Sequence, residues 1–137
     1  MQFNVTELDS GLLKERSFEE ASIIHSKAST ARGRSLEEIA ATTMYGHAAE
    51  CYLLELGFDD DPRPYKDVID PAGNPVEVKV TEGDYYVPYV LKRCNEAASQ
   101  KWREYPEILY IFIGDKKTGD YHLEGIYNWN GTQFIKE

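Results

Sequence analysis

The chain has 137 residues, enough for one domain around one core. Its 42% hydrophobic and 28% charged residues, with ten tyrosines and two tryptophans, exclude a disordered or fibrous chain. The formal net charge of −9 and the sequence pI of about 4.8 run against a nucleic-acid partner gripped by a broad basic face.

The first twenty residues carry acids early and lack an apolar h-region, so no secretory signal is expected. No apolar run approaches the ~18–20 residues that span a bilayer. Ser17-Phe-Glu-Glu20 has the form of a capping box, which predicts a short helix from Phe18 to about Lys27. The stretch from Ser29 to Arg34 then reads as a loop that brings Arg32 and Arg34 close together. A second capping box, Ser35-Leu-Glu-Glu38, opens a long helical pattern from about Leu36 to Leu56, closed by Gly57. Gly46 interrupts that pattern, and a bend or a close approach is expected there.

Asp59 to Pro64 is a turn-rich connector, and Tyr65 to Ile69 reads as a short strand. Pro71-Ala-Gly-Asn-Pro75 has turn chemistry. Val76-Glu-Val-Lys-Val80 alternates apolar and charged residues, the mark of a strand with two unlike faces. Pro88 to Glu104 fits a helix with Val90, Leu91, Cys94, Ala97, Ala98 and Trp102 on its apolar side. Ile108 to Ile113 is an unbroken apolar run, expected to be a strand buried on both faces. Turn signals at Lys116–Asp120 and Asn130-Gly131 then separate strands at Tyr121–Tyr127 and Thr132–Lys136.

The order predicts an α/β domain with a central mixed sheet flanked by helices. Residues 35–137 form an αββαββ core, and residues 1–34 a helical extension. Cys51 and Cys94 both fall in helical segments, too few for a disulfide framework and without metal-site spacing. They read as buried, reduced thiols, and the expected location is cytoplasmic.

The segment from Tyr65 to Lys79 carries the chemistry. Two strands joined by a tight turn bring Asp67 and Glu77 together. Glu77 and Lys79 stand two residues apart on one strand and share a face, while Val76, Val78 and Val80 point into the core. Two carboxylates suit a hard cation such as Mg2+, with Mn2+ as a substitute, and the backbone carbonyl of Val78 is a candidate third ligand. Lys79 is placed to orient or help deprotonate an attacking water, or to offset charge growing on a phosphate.

With these residues in view, the stretch from about Gly46 to Gly114 resembles the PD-(D/E)xK, or restriction-endonuclease-like, nuclease superfamily. Order and spacing are similar to archaeal Holliday-junction resolvases and small phage or homing endonucleases. The matching positions are Glu50 on the long helix, Asp67 at the first strand, and Glu77-Val-Lys79. The resemblance implies a restriction-endonuclease-like core and a Mg2+-dependent endodeoxyribonuclease that hydrolyses phosphodiester bonds and leaves a 5′-phosphate. It also makes the carboxylates of Asp67, Glu77 and Glu50 metal ligands.

Lys66 stands where the family often has proline. Asp70 is an alternative to Asp67; Val68 and Ile69 follow Asp67 as in the family, whereas Asp70 precedes Pro71 and suits a turn. Glu55, Glu37 and Glu38 are alternatives to Glu50, which sits in an alanine-rich stretch where a charge needs a partner. His47, one turn before Glu50, is a possible auxiliary that touches a phosphate or a water, or simply packs.

Arg32, Arg34, Lys92 and Arg93 are candidate contacts to duplex or branched DNA, and a homo-oligomer is expected to combine two such rims. A phage-borne enzyme suits the small size. The acidic charge keeps open an alternative: a catalytically inactive nuclease-fold binding module, or an acidic inhibitor that mimics DNA.

Overall fold

The computed structural model describes residues 1–62, 67–100 and 104–137. A mixed sheet forms the centre. Its strands are β1 (Gln2–Asn4), β2 (Asp59–Asp60), β3 (Val68–Ile69), β4 (Pro75–Thr81), β5 (Ile108–Gly114), β6 (Asp120–Trp129) and β7 (Phe134–Lys136). The spatial order is β1-β6-β5-β4-β3-β2, with β7 paired to the far end of β6. β4 and β5 run parallel and the other pairs antiparallel. The helices are α1 (Ser10–His25), α2 (Ala28–Ala31), α3 (Leu36–Glu55) and α4 (Val87–Ala98). The α/β class and the mixed sheet match the sequence reading. Among the described residues, no helix is long and apolar enough to cross a membrane.

The alternation in β4 divides the core. Val76 and Val78 face one cluster with Phe3, Leu13, Leu53, Tyr110 and Phe112, under α1 and α3. On the other face Leu109 and Ile111 of β5 meet Val87 and Cys94 of α4. β5 is thus buried on both sides, as its unbroken apolar run predicts. Phe3 lies stacked between Tyr52 and Tyr121, with ring centroids 4.3 and 4.8 Å away. Cys51 and Cys94 are free and buried.

The N-terminal region departs from expectation. Helix α1 starts at Ser10, not Phe18, because Asp9 caps it: its Oδ1 accepts from the backbone N–H of Gly11 and Leu12 at 2.9 and 3.1 Å. Ser17 lies buried in mid-helix and donates to the carbonyl of Leu13 at 2.6 Å, so Ser17-x-x-Glu20 is no cap. β1 pairs with β6, and α1 packs along α3. Residues 1–34 are therefore built into the sheet and its helical layer, where the pattern had suggested an extension.

Other boundaries shift less. Ser35 caps α3 as expected, accepting from the N–H of Glu38 at 3.2 Å. Gly57 follows its end with a φ of 103°. α3 runs through Gly46, where a Cβ would meet nothing within 4 Å, so no close approach demands that glycine. Among the described residues of the expected first strand, Val68–Ile69 pairs as a strand and Asp67 does not; Tyr65 and Lys66 lie outside the described residues. α4 ends at Ala98, and the expected continuation through Lys101, Trp102 and Arg103 also lies outside them.

Candidate active site

β3 pairs with β4 only through Val68 with Val76 and Ile69 with Pro75. Asp67 sits where the chain leaves this ladder. Its Oδ2 accepts the backbone N–H of Val78 at 2.8 Å, a donor that a longer strand would have paired. In an extended strand a residue's N–H and C=O leave on the same edge, so Val78 directs its carbonyl there too. A cleft of about 860 Å³ opens along this edge. α1, α3, β4 and the connector after β2 supply its walls.

Asp67, Glu77, Lys79, Glu50 and His47 all line this cleft, as does Val78. The structure thus brings together every residue expected at the centre. Asp70, the alternative acid, instead accepts from the N–H groups of Ala72 and Asn74 at 3.0 and 2.8 Å and closes the turn. Glu37 and Glu38 stay at the start of α3, and Glu55 accepts from the N–H of Asp9 at 2.9 Å.

Glu77 is 7% exposed. Its Oε1 lies 3.2 Å from the Lys79 ammonium, and its Oε2 is buried without a hydrogen-bond partner among the described residues. Burial, together with the charges of Glu77 and Glu50, pushes the Asp67 carboxyl up to about 9. Burial also raises Glu77, against the pull of Lys79. Burial works to lower Lys79, but the carboxylates of Glu77 and Asp67 outweigh it and hold the ammonium above its ordinary value.

Behind this centre lies a network that joins α1 to α3. Arg16 of α1 reaches Glu50 at 3.3 Å and Asp60 at 2.9 Å. His47 lies between Glu20 through Nε2 and Glu50 through Nδ1. Burial works against a charged imidazole, yet the two flanking carboxylates raise His47 to about 10. Both oxygens of Glu50 are thereby engaged. Pattern reading missed Arg16, Glu20, Asp60 and Asp61 as lining residues. Arg16 and Glu20 stand four apart on α1, beside its buried stripe of Leu13, Ser17 and Ala21. With α1 taken to begin at Phe18, Arg16 had no helix face to share.

The donor set fits a hard cation. Mg2+ commonly takes one or two carboxylates and keeps several waters. Asp67 and Glu77 are two carboxylates raised by burial, the second with a buried oxygen unpartnered among the described residues, beside a backbone carbonyl edge. Among the described residues, no group of three or more His, Cys, Asp or Glu side chains forms a ready-made cage.

The four expected phosphate contacts lie elsewhere. Arg32 ends α2 with a φ of 52°, and Arg34 donates to the carbonyls of Ala31 and Thr30 at 3.1 and 3.0 Å. Lys92 and Arg93 stand exposed on α4. None of the four lines the cleft. No protein-family model, no curated protein and no solved structure matches the chain.

Proposed function

We propose that this protein is a Mg2+-dependent DNA endonuclease of the PD-(D/E)xK kind, acting on phosphodiester bonds at the open edge of β4. One observation carries the reading: half-buried Asp67 and buried Glu77 converge there, each raised by burial and Asp67 also by the charge of Glu77, with the Lys79 ammonium 3.2 Å from Glu77. The element order adds support, since α3, β3, β4, α4 and a parallel β5 follow one another as the resemblance implies.

Asp67, Glu77 and the carbonyl of Val78 would hold the cation, with Glu50 behind them as the anchor of Arg16 and His47. A Mg2+ ion held there would supply Lewis-acid polarisation of the phosphate and an acidified water. Lys79, held protonated, donates hydrogen bonds to the attacking water or the phosphate oxygens and offsets negative charge in the transition state. It is a poor base in this setting, so of the two roles open to it from sequence the electrostatic one is the better supported. The walls from α1 and α3 restrict access to one side of the strand edge.

The test is cleavage of supercoiled plasmid and branched DNA with Mg2+ or Mn2+, comparing wild type with Lys79→Ala and Glu77→Ala. Cleavage by wild type alone is expected, and equal activity in all three proteins would move the site elsewhere. A parallel calorimetric titration with Mg2+ should show binding by wild type and none by Glu77→Gln.

The cleft lining favours one further reading, an inactive acidic module or DNA mimic: it carries seven carboxylates, namely Glu19, Glu20, Glu50, Asp60, Asp61, Asp67 and Glu77. That reading requires retention on a basic column with no Mg2+ binding and no cleavage. The lysine between acids argues against it, since a mimic has no use for that cation.

A further inference from the structure

Beyond the cleft, the chain leaving β4 presents three tyrosines to solvent in close succession. Tyr85, Tyr86 and Tyr89 are 89%, 49% and 59% exposed. Large rings left this open on consecutive turns are a cost to solubility, and among the described residues they stay largely uncovered. Tyr85 and Tyr86 meet edge to face at 5.4 Å, which fixes their relative tilt. Arg93 donates to the Tyr89 hydroxyl at 2.8 Å, and its guanidinium lies 5.6 Å from the ring centroid.

Tyr86 and Tyr89 wall a shallow hollow of about 380 Å³ floored by Tyr45, Val80 and Val90. Val80 lines the cleft as well, so the two depressions share one residue of β4. Around the hollow, Lys116 neutralises Glu82 at 2.8 Å and sits 4.7 Å over the Tyr45 ring. Lys92 and Arg93 are exposed on the adjoining turns of α4, with Asp84 and Glu96 exposed nearby and Asp115 near the Tyr45 ring.

We infer that Tyr85, Tyr86 and Tyr89 form a stacking platform for unpaired nucleobases, so the preferred substrate is DNA with a single-stranded segment beside the scissile bond. The inference rests on the nuclease reading of the neighbouring cleft. Flat rings with a guanidinium beside them match the way single strands are held: bases stack on aromatics and cations follow the backbone. A continuous duplex hides its base faces in its own stack and cannot use the rings. Lys92 and Arg93, which have no place in the catalytic cleft, are positioned to hold phosphates flanking the stacked bases.

The test is binding of a hairpin with a single-stranded overhang carrying 2-aminopurine, beside its fully paired counterpart, without Mg2+ or Mn2+. Wild type should prefer the overhang by about 10-fold or more and alter its 2-aminopurine emission. Each of Tyr85→Ala, Tyr86→Ala and Tyr89→Ala should weaken overhang binding by about 10-fold, and the phenylalanine variants should restore it. Equal binding of overhang and duplex by wild type would overturn the platform. So would alanine variants, folded by circular dichroism, that bind the overhang as wild type does. If sedimentation instead shows a dimer that the alanine variants lose, with overhang binding intact, the rings serve a second copy of the chain and the inference fails. Cleavage of branched DNA, run alongside, separates the two readings. Cutting that ignores the rings removes the platform and leaves the nuclease, whereas ring-dependent binding without cutting keeps the platform and removes the nuclease.

Discussion

Asp67→Asn should stabilise the metal-free protein, by an amount that grows with pH. The substitution keeps the shape of the side chain and an oxygen to accept the Val78 N–H, while it removes the charge facing Glu77. The Asp67 carboxyl is raised from 3.8 to about 9 by burial and by Glu77, so the folded state holds a proton that the unfolded state releases. The proton belongs to the pair Asp67 and Glu77 rather than to either carboxyl alone. The sign follows: the penalty is absent below about pH 4, grows as pH rises, and levels off near pH 9. At about pH 7 the interval above 3.8 is about three units, which at ~1.4 kcal/mol each costs the wild type about 4 kcal/mol. At about pH 5 the same reckoning gives about 2 kcal/mol. The gap between Asp67→Asn and wild type should therefore widen by about 2–3 kcal/mol between these conditions. Urea unfolding in EDTA at each pH reads it from the midpoint at constant slope. Titrating groups outside the Asp67–Glu77 pair are common to both proteins and cancel. A gap that stays flat with pH, or an asparagine variant less stable than wild type at neutral pH, would refute the claim that two destabilised carboxylates share this edge.

The remaining predictions use the same kind of measurement. Mg2+ or Mn2+ should raise the melting temperature of wild type, by the equivalent of about 2.7 kcal/mol at a hundredfold excess over Kd, and leave Glu77→Gln unmoved. Arg16→Ala leaves Glu50 without its guanidinium and should lower stability by about 3 kcal/mol in urea, mostly through that buried partner. The His47 imidazole, raised to about 10, should stay protonated through neutral pH by NMR. Its contribution to stability is full below about pH 6.5 and lost as pH rises through about 10, and Glu20→Gln should bring its titration down. Gly114→Ala puts a Cβ 2.5–2.9 Å from the Tyr121 ring and should cost about 1–3 kcal/mol by denaturant unfolding.

The centre of the site was legible because it is local. Asp67, Glu77 and Lys79 lie within thirteen residues of sequence, and a turn with two strands fixes their geometry from periodicity alone. The apolar run of β5 and the Ser35 cap of α3 were legible for the same reason. The rest was set by tertiary contacts. β1 is three residues long and gains its place from Phe3 packing between Tyr52 and Tyr121, which no local pattern announces. In α1 two cap signals compete, at Asp9 and at Ser17. Asp9 wins because Leu13, Ser17 and Ala21 then form the stripe that packs on α3, and Ser17 is small enough to be buried there. The engagement of Glu50 with Arg16 and His47 depended on that helix, so it was out of reach from the motif.

The brevity of β3 is what makes the site. A sheet edge with free N–H and C=O groups is ordinarily covered or blunted, because it invites further pairing. Here β3 pairs with two residues of β4, and a carboxylate takes the N–H of Val78 in place of a strand. That arrangement draws Asp67 inward towards Glu77, and burial then makes each acid costly to ionise. Arg16 and His47 offset the acids of the α1 and α3 walls, while Lys79 offsets Glu77. The raised Asp67 and the unpartnered oxygen of Glu77 remain as uncompensated acidity at the strand edge. A cation taken up there would relieve both, and until it is taken up the cleft repels phosphate. Under the proposed nuclease reading, the acidic total of the chain would then imply an order of events rather than an objection to a DNA substrate: the cation would come first, and the nucleic acid would follow.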